Sequence, residues 1–183
     1  AILSANYIAH SLKHKFKILY KGKNNFVAHE CILDFRDLKS KTGLSVNDLA
    51  KRLIDYSFHA PTISWPVPET IMIEPTESES LVELDRFCEA MLLIGEEISE
   101  IEKNIELKNN NVISNAPHTL KELIADNWHY PYSKEKASFP YKTPTTIKFW
   151  SSVSRINNAY GDRNLICSCN VNQDETLEEK KCA

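Results

Sequence analysis

The sequence predicts an α/β chain of the α+β kind: a small, mainly antiparallel sheet with helices on one face, followed by an extended, partly helical C-terminal arm. Three observations lead there. Apolar residues recur at spacings of three and four in three separate stretches, and short alternating runs lie between them. Prolines 61, 66 and 68 crowd a segment that otherwise reads as strand, which suits a hairpin or sheet edge and not a central strand. Beyond residue 105 the periodicity gives way to asparagines and prolines. The chain therefore divides into 1–25, the end of a linking helix and a turn; 26–105, a small α/β domain; and 106–183, an irregular and helical arm.

Residues 1–19 carry a helical pattern, with Ile2, Ala5, Ala9 and Leu12 on one face. Gly22 to Asn25 reads as a turn, and Phe26 to Phe35 as an apolar, alternating strand. Ser45 and Asp48 form a capping-box pair that opens a helix whose apolar face is Val46, Leu49, Ala50, Leu53 and Ile54. Strands are expected near Thr62–Trp65 and Thr70–Glu74. Thr76 and Glu79 form a second capping-box pattern after Pro75, and a long helix follows to about Asn104. Its expected buried stripe is Leu81, Leu84, Phe87, Cys88, Met91, Leu92, Gly95 and Ile98. In the arm, Thr119 is expected to cap a helix over 120–125 and Ser133 another over 134–137. The charged end, 174–181, is expected to fray.

With 183 residues, 42% of them hydrophobic and 26% charged, the chain has the composition of a globular domain with a real core, or of a piece of a larger one. No apolar run approaches the roughly 18–20 residues of a membrane span. The chain opens inside a helix, without methionine or a secretory leader, and is expected to be a fragment or a processed subunit. A net charge of −3 gives no general attraction to nucleic acid. The lysines at 13, 15, 17, 21 and 23 read as a solvated or interfacial surface, because no nucleic-acid motif accompanies them. Only four glycines are present, too few for a glycine-rich phosphate cradle. The five cysteines do not have zinc-framework spacing, so no metal site is assigned. Cys31 and Cys88 fall on faces expected to be buried, and a reducing compartment fits.

Several short motifs follow one another in a fixed order. They include Ile32-Leu33-Asp34-Phe35-Arg36, then Phe58-His59-Ala60-Pro61-Thr62, Ser64-Trp65-Pro66-Val67 and Glu74-Pro75-Thr76-Glu77-Ser78-Glu79. Downstream lie Pro117-His118-Thr119, Pro131-Tyr132-Ser133, Phe149-Trp150, Arg155-Ile156-Asn157, Tyr160-Gly161-Asp162-Arg163-Asn164-Leu165 and Cys167-Ser168-Cys169. Together they resemble the C-terminal part of glycine dehydrogenase (decarboxylating), the pyridoxal-phosphate P-protein of the glycine cleavage system. The resemblance runs from about Ala1 to Cys169. The sequence departs from the family at Ser57 and Glu69, where glycine is usual or common, at Ser151 and Asn170, where proline is usual, and at His129-Tyr130, where aspartate-arginine is usual.

The resemblance implies the small C-terminal domain and tail of a fold-type-I pyridoxal-phosphate enzyme. Such an enzyme decarboxylates glycine and passes the aminomethyl group to the lipoyl group of a partner H-protein. The implied partners are the remainder of the P-protein, the H-protein and a dimer mate. The implied location is the mitochondrial matrix in a eukaryote and the cytoplasm in a bacterium. In that family the cofactor lysine follows a histidine and precedes a glycine-rich loop. His14-Lys15-Phe16 imitates two letters of that motif without the glycines, so no catalytic residue is assigned to this chain and the fragment is expected to be inactive alone. The alternative is a non-catalytic interaction or regulatory module derived from the same fold.

The candidates for an active-site mouth are His59, Arg36, Glu74 and Thr76. His59 is held beside Pro61 and can exchange a proton near neutral pH. Arg36 can grip a carboxylate in bidentate fashion, or pair with Asp34 or Asp37. Glu74 and Thr76 stand at a strand-to-helix junction. His29, beside Glu30, reads as structural. Cys167 and Cys169 are candidate redox residues, although one intervening residue suits them poorly to an unstrained mutual disulfide.

Overall fold

A computed structural model describes residues 1–141 and 148–166. Its elements, in chain order, are α1 (Ile2–Leu12), β1 (Lys17–Leu19), β2 (Cys31–Asp34), α2 (Leu38–Thr42), α3 (Val46–Asp55), β3 (Thr62–Ile63), β4 (Thr70–Ile73), α4 (Leu81–Lys103), α5 (Leu120–Ile124), α6 (Lys134–Ser138) and α7 (Asn158–Arg163). The four strands form one sheet in the order β1-β2-β4-β3, every neighbouring pair antiparallel. The fold is the mixed α/β arrangement that the sequence predicts.

Register sets the two faces of the sheet. Ile18, Leu33, Ile71 and Ile63 stand opposite one another across the four strands and join the core. Alternate residues point to opposite faces of a strand. Leu19, Ile32, Met72 and Thr62 therefore form the other row. The helices supply the rest of the core: Ala5, Ile8 and Leu12 from α1, Leu49 and Leu53 from α3, and Met91, Ile94 and Ile98 from α4. Gly95 lets α1's trailing segment come close, since a Cβ there would stand 3.0 Å from the Phe16 ring.

Three helix starts follow the sequence reading. Ser45 and Asp48 close a reciprocal capping box on α3. Thr119 and Glu122 do the same on α5, and the Ser133 hydroxyl accepts from the Lys136 N–H at α6. Four expectations change. The helix of residues 1–19 ends at Leu12, and Lys17–Leu19 forms an edge strand, with Ile18 inward and Lys17 outward. The strand expected over 26–35 is confined to Cys31–Asp34. The short helix α2 carries no apolar period long enough to read. The long helix starts four residues later than Thr76 suggests: Ser80 is its N-cap and accepts from the Glu83 N–H at 3.2 Å. Leu81 consequently lies outside the buried stripe and is exposed, whereas Ala90, Ile94 and Ile101 lie within it.

Candidate functional site

The segment after α3 forms a groove. Tyr56 ends the helix, Ser57 turns the chain in the left-handed region (φ +64°), and Phe58 packs edge-on against Phe87 of α4 with ring centroids 5.2 Å apart. The Arg86 guanidinium lies 3.8 Å from the centroid of Phe58. Arg86 is held in turn by Glu83 and by the Tyr56 carbonyl, to which it donates at 3.1 Å. Proline and two antiparallel strand ends then fix the opposite wall. The groove encloses about 440 Å³. His59, Pro61, Met72, Glu74 and Phe87 line it.

The structure brings two of the four mouth candidates to this groove. His59 is exposed and has no hydrogen-bond or ion-pair partner among the described residues. Glu74 is exposed on the same rim. Thr76 stands just beyond it, its hydroxyl 2.8 Å from that of Ser78. Arg36 is elsewhere. Glu74 is level with Glu30 in the β2–β4 register, whereas Arg36 follows the other end of β2. At roughly 3.4 Å per residue the separation is on the order of 20 Å. Arg36 donates to Asp34 through Nε at 2.8 Å and Nη2 at 2.7 Å, and this guanidinium holds the Asp34 carboxyl well below the usual range. It lines a different cavity, of about 430 Å³, with Lys15, Lys17 and Lys41. His29 pairs with Glu30 at 3.1 Å. Cys167 and Cys169, with the charged end at 174–181, lie outside the described residues. Cys31 and Cys88 are buried free thiols, and burial pushes them up to about 12 and about 11.

Sequence reasoning missed a buried polar network. Arg52 is fully buried and donates to Glu97 through Nε at 3.0 Å and Nη2 at 2.6 Å. Its Nη1 donates to Asp55 at 2.9 Å and to the Ala137 carbonyl at 2.8 Å. Asp55 also accepts from the backbone N–H of His118 at 2.7 Å, and its other oxygen lies 2.8 Å from His118 Nδ1. The opposite ring nitrogen, Nε2, lies 2.8 Å from the Tyr132 hydroxyl. Tyr130, at the position where the family usually has arginine, donates to Glu122 at 2.9 Å. Lys148 Nζ donates to the Asp55 carbonyl, and desolvation lowers its amine to about 8. Each of these groups has a protein partner, and together they clamp the arm to α3. The motifs around His118 and Tyr132 marked the segments, but Asp55 and His118 stand 63 positions apart and nothing local pairs them.

A pyridoxal-phosphate site needs a lysine amine free to form an imine and a set of backbone N–H groups for the phosphate. Lys15 spends its amine on the Ser99 hydroxyl at 2.8 Å, and Lys148 on a helix-terminal carbonyl. None of the chain's four glycines lines the groove. No lysine lines it either, so the groove does not fit that cofactor.

The fold and the groove thus define a mixed α/β domain with an open surface groove lined by His59 and Glu74. The family profile "Glycine dehydrogenase, C-terminal domain" matches residues 1–118. The chain belongs to that family. It is 59% identical over 174 residues to a glycine dehydrogenase (decarboxylating) of Prochlorococcus marinus (strain NATL1A), covering 95% of this chain and 18% of the relative. It is 56% identical over 171 residues to the protein of that name in Thermosynechococcus vestitus, covering 93% and 18%. It is 58% identical over 171 residues to a mitochondrial glycine dehydrogenase (decarboxylating) of Dictyostelium discoideum, covering 92% and 17%. The chain thus spans less than a fifth of the length of these relatives.

Proposed function

We propose that this chain is the C-terminal part of a glycine dehydrogenase (decarboxylating), and that it walls an active-site mouth without supplying the cofactor lysine. The observation that carries this reading is its likeness, over 174 residues, to a protein of that name. In this reading the whole protein removes carbon dioxide from glycine and hands the aminomethyl group to the lipoyl group of an H-protein. Pyridoxal phosphate is held by the remainder of the polypeptide. Residues 26–105 are the domain that faces that remainder, and 106–183 is the arm strapped over it. A dimer mate completes the assembly, in the mitochondrial matrix of a eukaryote or the cytoplasm of a bacterium. Among the described residues no helix is long and apolar enough to cross a membrane.

His59 is the residue in the groove best placed to meet a substrate or the lipoyl arm, being exposed and without a partner among the described residues. The test is release of labelled carbon dioxide from carboxyl-labelled glycine, with pyridoxal phosphate and lipoylated H-protein present. The complete protein releases it, and residues 1–183 alone do not. His59→Ala in the complete protein lowers the rate about a hundredfold if the imidazole moves a proton there, with an unchanged melting temperature. No release by the complete protein would overturn the reading, and an unchanged rate in His59→Ala would remove His59 from it.

A further inference from the structure

We infer that His29, Glu30 and Glu74 form a surface site for a first-row divalent metal ion of the zinc or manganese type. The inference stands independently of the glycine dehydrogenase reading. One nitrogen and two carboxylate donors converge here, with the ligand atoms of all three residues within 4.8 Å of one another. The His29 Nε2 and Glu30 Oε2 atoms are 3.1 Å apart.

Backbone register makes the convergence. Cys31 pairs with Ile73, and one step further along the antiparallel ladder Glu30 stands opposite Glu74. Directly opposed residues point to the same face, with Cβ atoms about 4.5–5.5 Å apart. Strict alternation would turn His29 to the other face. The chain instead bends at His29, outside β2, and its ring comes back beside Glu30.

The charge arrangement is unfinished among the described residues. Like charges directly opposed across a sheet are destabilising. Among the described residues no lysine or arginine pairs with Glu30 or Glu74, and Glu74 has no hydrogen-bond or ion-pair partner there. A neutral imidazole leaves two negative charges facing one another, and a divalent cation among the three donors cancels both. Imidazole with carboxylate is a set that zinc and manganese accept. Zinc bonds of about 2.0–2.2 Å place tetrahedral ligand atoms roughly 3.5 Å apart. Rotation of these side chains closes the remaining gap, and water takes the open position. Glu74 also lines the groove beside His59, so a bound ion would put positive charge on its rim.

The experiment is titration of the complete, metal-stripped protein with manganese, read by loss of the free-ion electron paramagnetic resonance signal, and with zinc, read by calorimetry. His29→Ala and Glu74→Gln are compared with the parent, and circular dichroism confirms that each variant is folded. The expected result is one site per chain that both variants weaken by roughly tenfold or more, as a direct ligand should matter at least as much as an outer-shell partner. Binding that is absent up to about 1 mM metal, or equally strong in both variants, would overturn the assignment; that concentration corresponds to a free energy of only about 4 kcal/mol.

Discussion

At the scale of single residues, the two departures from family glycine at the two ends of α3 have a physical reading. Ser57 (φ +64°) and Glu69 (φ +55°) both occupy the left-handed region that glycine enters freely. Each recovers part of that cost through a tertiary contact that glycine could not make. The Ser57 hydroxyl accepts from the Phe149 N–H at 3.1 Å, tying the arm to the end of α3. The Glu69 carboxylate accepts from the Val46 N–H at 3.2 Å, at the positive end of the same helix. Ser57→Gly should therefore change stability little, since relief of about 1 kcal/mol of backbone cost offsets the lost hydrogen bond. Ser57→Ala keeps the cost and loses the bond, and should destabilise by about 1 kcal/mol. Urea unfolding midpoints check the order; an alanine variant as stable as the parent would show that the hydroxyl holds nothing.

At the scale of elements, legibility followed local chemistry. Helix α3 was readable because its apolar period and its capping box agree. The β3–β4 hairpin was readable because prolines exclude a central position, and β3 is indeed an edge. Strand β1 was not readable. Its three residues take their conformation from pairing with β2, which no local pattern announces. The start of α4 was ambiguous because Thr76-x-x-Glu79 and Ser80-x-x-Glu83 are the same pattern four residues apart. Tertiary packing chose the second. Ser80→Ala should therefore cost about 1 kcal/mol, while Thr76→Ala should cost little; thermal unfolding of the two variants distinguishes them. Of the mouth candidates, His59 and Glu74 meet because strand register carries them to one rim. Arg36 was drawn to the same site by its motif alone, and the register sends it to the other end of the sheet.

At the scale of the molecule, a buried polar cluster is a main tie between the arm and the fold, beside contacts such as Arg155 to Asp48. Arg52 bridges α3 to Glu97 of α4 and to the Lys136 and Ala137 carbonyls of α6, while Asp55 holds His118. Removing one partner of such a cluster leaves buried charge without compensation. Arg52→Met should cost about 3–5 kcal/mol and make the arm more open to protease than the sheet. Equal protection of arm and sheet in that variant would show that apolar packing, and not the cluster, holds the arm. The groove beside this framework offers His59 and Glu74 and is lined by no lysine.

The central claim is that this chain shapes a site whose cofactor lysine lies elsewhere in the protein. Borohydride reduction of the complete protein loaded with pyridoxal phosphate, followed by peptide mapping, tests it most directly. The account predicts one stoichiometric label, on a lysine outside the 183 residues described in this sequence. A stoichiometric label on Lys15, Lys148 or any other lysine of this chain would contradict it.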